Sequence, residues 1–208
     1  MEDILEVYKS PYDPQVPVVC MDEQPVQLIK ETQIPQPLEP GKPERYDYRY
    51  EKRGMVNNFL FTEPLGGFRR VSVRERKTMV DWAQEIKTLV DVDYKDCPKI
   101  VLVCDNLNTH RIASLYATFP PEEALRIAKR LEIHYTPKHG SWLNIAEIEL
   151  SALTKQCINR RIPDIDTLKT ETTAWYRERN RNQKGVDWQF TTADARIKLK
   201  RLYPQFIE

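Results

Sequence analysis

The chain has 208 residues, 40% of them hydrophobic and 30% charged, with a formal net charge of +1. That is the size and balance of one ordinary domain with its own core, and no apolar run approaches the roughly 20 residues that a membrane-crossing helix needs. The acidic start MEDILEVY argues against a secretory signal, and four single cysteines (Cys20, Cys97, Cys104, Cys157) argue against a zinc ribbon or a disulfide framework.

In chain order, residues 1–15 read as the tail of a helix and a proline-containing link. The β-branched run VPVVCM predicts a short strand that ends at Asp22. Residues 23–44 hold five prolines and one glycine, which predicts an irregular surface loop. RYDYRYEKRG and MVNNFLFTEP alternate with aromatics and predict two strands, and Gly66-Gly67 predicts a hairpin turn into a third strand, FRRVSVR. From Thr78 to Val92 the spacing turns helical, with Met79, Trp82, Ala83, Ile86, Leu89 and Val90 on one face. KIVLVCD is a continuous apolar strand of the buried kind. PPEEALRIAKRL opens with proline and two acids, a helix start, and LEIHYTP is a short strand. WLNIAEIELSALTKQCI, IDTLKTETTAWYRERN and TTADARIKLKRLY predict three more helices. The order implies an α/β fold, a mixed sheet with helices on its faces.

Charge is uneven along this order. From Lys155 to Arg201 there are twelve Lys/Arg against six Asp/Glu, so that quarter carries +6 and the rest −5. Such a basic quarter suggests a polyanionic partner.

Two strand ends carry acids, Asp22 and Asp105, and in open α/β sheets sites form at the carboxyl ends of strands. Close carboxylates repel unless a cation lies between them, and hard oxygen ligands suit Mg²⁺ or Mn²⁺. A third acid comes from YTPKHGSWLNIAEIEL, which offers Glu147 and Glu149. These lie about 200° apart around a helix, so both cannot face one site, and spacing alone does not choose between them.

CMDEQP, VLVCDNLNTH and YTPKHGSWLNIAEIE together resemble the three acidic blocks of the DDE transposases, closest to the bacterial insertion-sequence members related to the mariner group. The resemblance runs from about Pro11 to Pro204 and takes in DYRYEKRGMVNNFLFTEP and FTTADARIKLKRLYP. The family's third acid lies in an Asn-x-x-Glu block, which Asn144-Ile145-Ala146-Glu147 matches, so the resemblance selects Glu147. The 41 residues between Asp105 and Glu147 make a longer gap than in the eukaryotic mariner branch. The resemblance implies a ribonuclease H-like fold with a mixed sheet of about five strands. It divides the chain into a linker remnant (1–15), a catalytic domain (16–160) and a basic helical extension on that domain (161–208).

The chemistry implied is cleavage of transposon ends and joining of 3′-hydroxyls to target DNA. Two Mg²⁺ or Mn²⁺ ions on Asp22, Asp105 and Glu147 would serve it, with Asp22 bridging. Also implied are a homodimer at synapsis, an N-terminal helix-turn-helix region supplied outside this chain, and a place on the bacterial nucleoid in the cytoplasm rather than at a membrane. The alternatives are a nuclease of the same fold that cuts without joining, and an inactive DNA-binding remnant. Around the acids, Asn106, His110 and His139 lie in loops where they reach toward a scissile phosphate. Lys138, Arg160, Arg161, Arg177, Arg179 and Arg181 are candidate phosphate contacts. Glu23 reads as solvated, and Trp142 as a core residue ahead of a base-stacking one.

Overall fold

The structure, a computed structural model, describes residues 1–203 apart from Glu44, Tyr46, His139 and Lys184. The five strands are β1 (Val18–Glu31), β2 (Tyr50–Glu63), β3 (Phe68–Arg74), β4 (Ile100–Cys104) and β5 (Leu131–Tyr135). They form one sheet in the order β3-β2-β1-β4-β5. β2 is antiparallel to β1 and β3, while β1, β4 and β5 are parallel, so the expected mixed α/β sheet is what forms. The helices are α1 (Glu2–Lys9), α2 (Met79–Thr88), α3 (Ile112–Thr118), α4 (Pro121–Lys129), α5 (Ala146–Leu153), α6 (Ile165–Asn182) and α7 (Thr192–Lys198).

Strand alternation divides the interior into two cores. Val19, Met21, Phe59, Phe61, Leu102 and Cys104 face one side, against Trp82, Ala83 and Ile86 of α2, Leu115 of α3 and Ala124 and Ile127 of α4. Cys20, Leu60, Val71 and Val103 face the other side. There they meet Ile4 and Leu5 of α1, Ala146, Leu150 and Leu153 of α5, Trp175 of α6 and Ala195 of α7. Burying a large apolar side chain is worth about 1.5–3 kcal/mol, so these two layers fix which face each strand residue takes. The stretch expected as a linker remnant therefore contains a helix whose Ile4 and Leu5 are buried in the second core. α6 and α7, from the basic extension, pack on that same face.

Local chemistry accounts for the helix starts. Thr78 and Asp81 form a reciprocal capping box on α2, as Thr191 and Asp194 do on α7. Asp164 caps α6 by accepting from the Thr167 N–H at 2.7 Å, and Pro121 opens α4.

Four expectations need correction. The first strand does not stop at Asp22. It continues to Glu31, because β2 offers an unbroken antiparallel partner: Asp22 opposite Leu60, Pro25 opposite Asn57, Lys30 opposite Glu51. Pro25 lies beyond the last rung to β4, Cys20–Val103, where that edge of β1 has no strand neighbour and a missing N–H is tolerated. The two strands expected around Gly54 are one. Leu28 sits between the pairs Gln27–Met55 and Ile29–Lys52, so Arg53 and Gly54 together oppose it in a β-bulge, and Gly54 supplies the positive φ of +98°. Met79 is half-exposed at the first turn of α2 rather than part of its buried face. α3 was not expected at all: it is one short helix with no side-chain cap, held by Leu115 and Ser114 from the interior.

Candidate active site

The parallel pairing of β1 with β4 covers only Val18–Val101, Val19–Leu102 and Cys20–Val103. Continued by two residues, that register sets Asp22 level with Asp105, the first residue after β4. Asp22 shares strand parity with Cys20, so it takes the face covered by α5.

α5 is fastened at this point by Asn144. The buried Asn144 Nδ2 donates to the Met21 carbonyl at 2.8 Å, and its Oδ1 accepts the Ala146 N–H at 3.1 Å. One side chain thus ties the start of α5 to the strand residue just before Asp22. Glu147 follows in the first turn, partly exposed. Glu149 takes the opposite fate. It is buried, and its carboxylate accepts from Arg69 Nη2 at 2.7 Å and from Arg179 Nη2 at 3.1 Å. These guanidiniums outweigh the burial and hold its carboxyl below the usual range. Glu149 is thus an internal ion-pair partner, while the partly exposed Glu147 contributes its charge to Asp22.

Asp22 is pushed up to about 6 from an ordinary value of 3.8. Burial is the main cause, and the negative charges of Asp105, Glu147 and Glu23 add to it. The Glu23 N–H donates to Asp22 Oδ1 at 2.7 Å and works in the opposite direction. Among the described residues, no lysine or arginine pairs with Asp22, Asp105 or Glu147. Nor do three such side chains already stand as a ready ligand set. Their mutual repulsion opposes closer approach. The donors are all carboxylate oxygens, His110 offsets charge at Asp105 alone of the three among the described residues, and Asp22 is costly to ionise. That chemistry fits a hard divalent cation such as Mg²⁺ or Mn²⁺.

The remaining candidates divide by placement. Asn106 and Lys138 are exposed in loops following β4 and β5. His139 lies outside the described residues. His110 is wholly buried, which closes its route to a phosphate. Its Nε2 meets Glu23 Oε1 at 2.9 Å, its Nδ1 contacts Asp105 Oδ1, and its ring stacks on Trp82 at 5.7 Å. Burial opposes its charge, but bonds to Asp105, Cys104 and Glu23 prevail and raise it to about 11. Glu23 is correspondingly not solvated, its side chain being 3% exposed. The strand's alternation could have signalled this, since Glu23 shares parity with the buried Val19 and Met21.

Much of the basic extension is paired within the molecule. Arg160 meets Glu171 at 2.6 Å. Arg161 binds Glu31 at 2.6 Å and the Asp47 carbonyl at 2.9 Å, Arg179 binds Glu149, and Arg181 binds Glu178 at 2.7 Å. Arg177 is exposed. Trp142 is 41% exposed rather than in the core, edge-on to Phe190, and borders a shallow groove with Glu147, Ser151 and Lys155.

The family of DDE superfamily endonucleases matches residues 17–169. The chain belongs to this family. That span contains both aspartates, Asn144 and Glu147. No curated protein matches the chain. Among solved structures, chains of the Mos1 mariner transposase share its fold. The Mos1 mariner paired-end complex with Mn matches at a TM-score of 0.56 and 14% identity, over 88% of this chain and 55% of that one. The Mos1 strand transfer complex gives the same figures. The catalytic domain of Mos1 mariner transposase matches at 0.56 and 12% identity, over 88% of this chain and 82% of that one. The chain therefore spans about half the length of the longer Mos1 chains, and its sheet and helices are those of a ribonuclease H-like DDE domain.

Proposed function

We propose that this chain is the catalytic domain of a DNA transposase, which cuts at transposon ends and joins the freed 3′-hydroxyl to target DNA. The observation that carries the reading is Asp22, two residues past the last β1–β4 rung, raised by burial and by the charges of Asp105 and Glu147. Their charges act on one another and no lysine or arginine among the described residues balances them. Membership of the DDE superfamily endonucleases and the shared Mos1 fold support it.

Asp22, Asp105 and Glu147 would hold two Mg²⁺ or Mn²⁺ ions, which supply a polarised nucleophile and stabilise charge on the leaving oxygen. The chain's own part is positioning. β1 mounts Asp22 on its ladder to β2, opposite Leu60. Asn144 fixes the approach of Glu147. The exposed Asn106 and Lys138 are placed to meet the DNA backbone, which sets affinity rather than sequence choice. In this reading two copies act together at synapsis.

The test is a strand-joining assay on a pre-cleaved transposon end with Mg²⁺ or Mn²⁺. Joining that disappears in Asp105→Asn supports the transposase. Cleavage without joining redirects the reading to a nuclease. Tight DNA binding with neither reaction redirects it to an inactive remnant.

A further inference from the structure

The β1–β4 ladder ends at Cys20–Val103, two residues before Asp22 and Asp105. Beyond that rung the two strands share no backbone pairing, yet the acids that must act together lie there. One side-chain bridge crosses the gap. Glu23 Oε1 meets His110 Nε2 at 2.9 Å, and His110 Nδ1 contacts the Asp105 carboxylate.

The bridge is held from several elements. Trp82 of α2 stacks on the imidazole, and the Tyr135 hydroxyl of β5 donates to the His110 carbonyl at 2.8 Å. Lys77 stands 3.6 Å from Glu23 Oε2. The Glu23 backbone N–H meanwhile donates to Asp22 Oδ1 at 2.7 Å. A single residue thus touches one acid through its main chain and reaches the other through His110.

This arrangement is costly for the fold. Glu23 and His110 are 3% and 1% exposed at their side chains, and Glu23 Oε2 is buried without a hydrogen bond. Two buried ionised groups carry a desolvation cost that their attraction repays only with good geometry, so core stability is a weak account of the pair. An apolar pair of the same size would pack here at less cost.

We propose that Glu23 and His110 are positioning residues, a buried brace that replaces the missing β1–β4 rungs and holds Asp22 and Asp105 in the relative placement needed to bind a divalent ion. The inference rests on the proposed metal-dependent function. By it, His110 holds one carboxylate oxygen of Asp105 through an ion pair, that oxygen making no hydrogen bond, and leaves the other for the ion. Partners of this kind typically affect metal affinity by 10- to 100-fold.

The experiment measures Mn²⁺ binding by titration calorimetry on the full chain without DNA, with urea unfolding of each variant alongside. Glu23→Leu keeps the volume and removes the acceptor; it is expected to stay folded and to bind Mn²⁺ about 10- to 100-fold more weakly. Glu23→Gln keeps an oxygen for His110 Nε2 and is expected to recover affinity to within about threefold of wild type. His110→Gln repeats the test from the other side of the bridge and is expected to weaken binding like Glu23→Leu. Wild-type Mn²⁺ affinity in folded Glu23→Leu or His110→Gln overturns the brace while leaving the metal site standing. If the wild-type chain binds no Mn²⁺, the metal-dependent reading fails and the brace with it. A stability change with unaltered affinity means that the pair is structural only.

Discussion

Two regions of this molecule bury acids, and they treat them in opposite ways. Along β3, acidic side chains are matched by guanidiniums: Glu149 lies between Arg69 and Arg179, and Arg70 gathers Glu85 and Asp93. Where β1 and β4 part, Asp22, Asp105 and Glu147 stand together without lysine or arginine partners among the described residues, and Asp22 is driven up to about 6. Matched charge at β3 locks α6 to the edge of the sheet. At the centre only His110, against Asp105 and Glu23, offsets the acids among the described residues, and the remaining charge suits a cation. Glu147 and Glu149 condense the contrast into one helical turn.

Substitutions should separate the two regions by what they damage. The largest effect is expected at the centre. Glu147→Gln or Asp105→Asn should lower metal-dependent DNA cleavage at least about a thousand-fold, about 4 kcal/mol of barrier, with little change in thermal midpoint. Residual cleavage near wild type would break the comparison outright. Next comes Glu149→Gln, which strips the balancing charge from a buried network and should cost about 3–4 kcal/mol of stability by urea unfolding. Cleavage should follow the folded fraction in that variant.

Divalent ions sharpen the contrast further. Mn²⁺ at 100 times its dissociation constant should stabilise the wild type by about 2.7 kcal/mol in a thermal-shift measurement, and chelation should reverse it. Asp105→Asn should abolish this response and Glu85→Gln should not.

Asp22 gives a smaller effect with a defined pH window. Its folded value, about 6, lies above the ordinary 3.8, so the folded state holds the proton more tightly. Stability should fall as pH rises from about 3.8 to about 6 and stay reduced above. Asp22→Asn should therefore stabilise the metal-free chain by about 3 kcal/mol at pH 7.5, a gain that fades as pH falls below about 4 in urea titrations. The smallest effect is expected at the surface: Arg160→Ala breaks an exposed pair with Glu171 and should cost under about 1 kcal/mol.

Much of this was legible in the chain, for local reasons. KIVLVCD could only be a buried strand, Gly66-Gly67 a turn and Thr78-x-x-Asp81 a helix start, because each depends on neighbours a few residues apart. The candidate acids Asp22, Asp105 and Glu147 could be named from strand ends and from the resemblance. The reach of β1 beyond Asp22 could not, because it depends on β2 as a partner some thirty residues later. The engagement of the basic extension was likewise hidden. Arg161 finds Glu31 and Arg179 finds Glu149 only after α6 docks.

By itself the sequence determined the periodicities and the candidate acids, since those follow from spacing, side-chain chemistry and the family resemblance. Only the tertiary structure decided what each acid does. Glu149 met two arginines, Glu147 stayed partly exposed with its charge acting on Asp22, and Glu23, read as a solvated bystander, was folded inward against His110. The reason is physical. A carboxylate's role is set by the charge and solvent around it, and those are brought to it by segments distant in the chain.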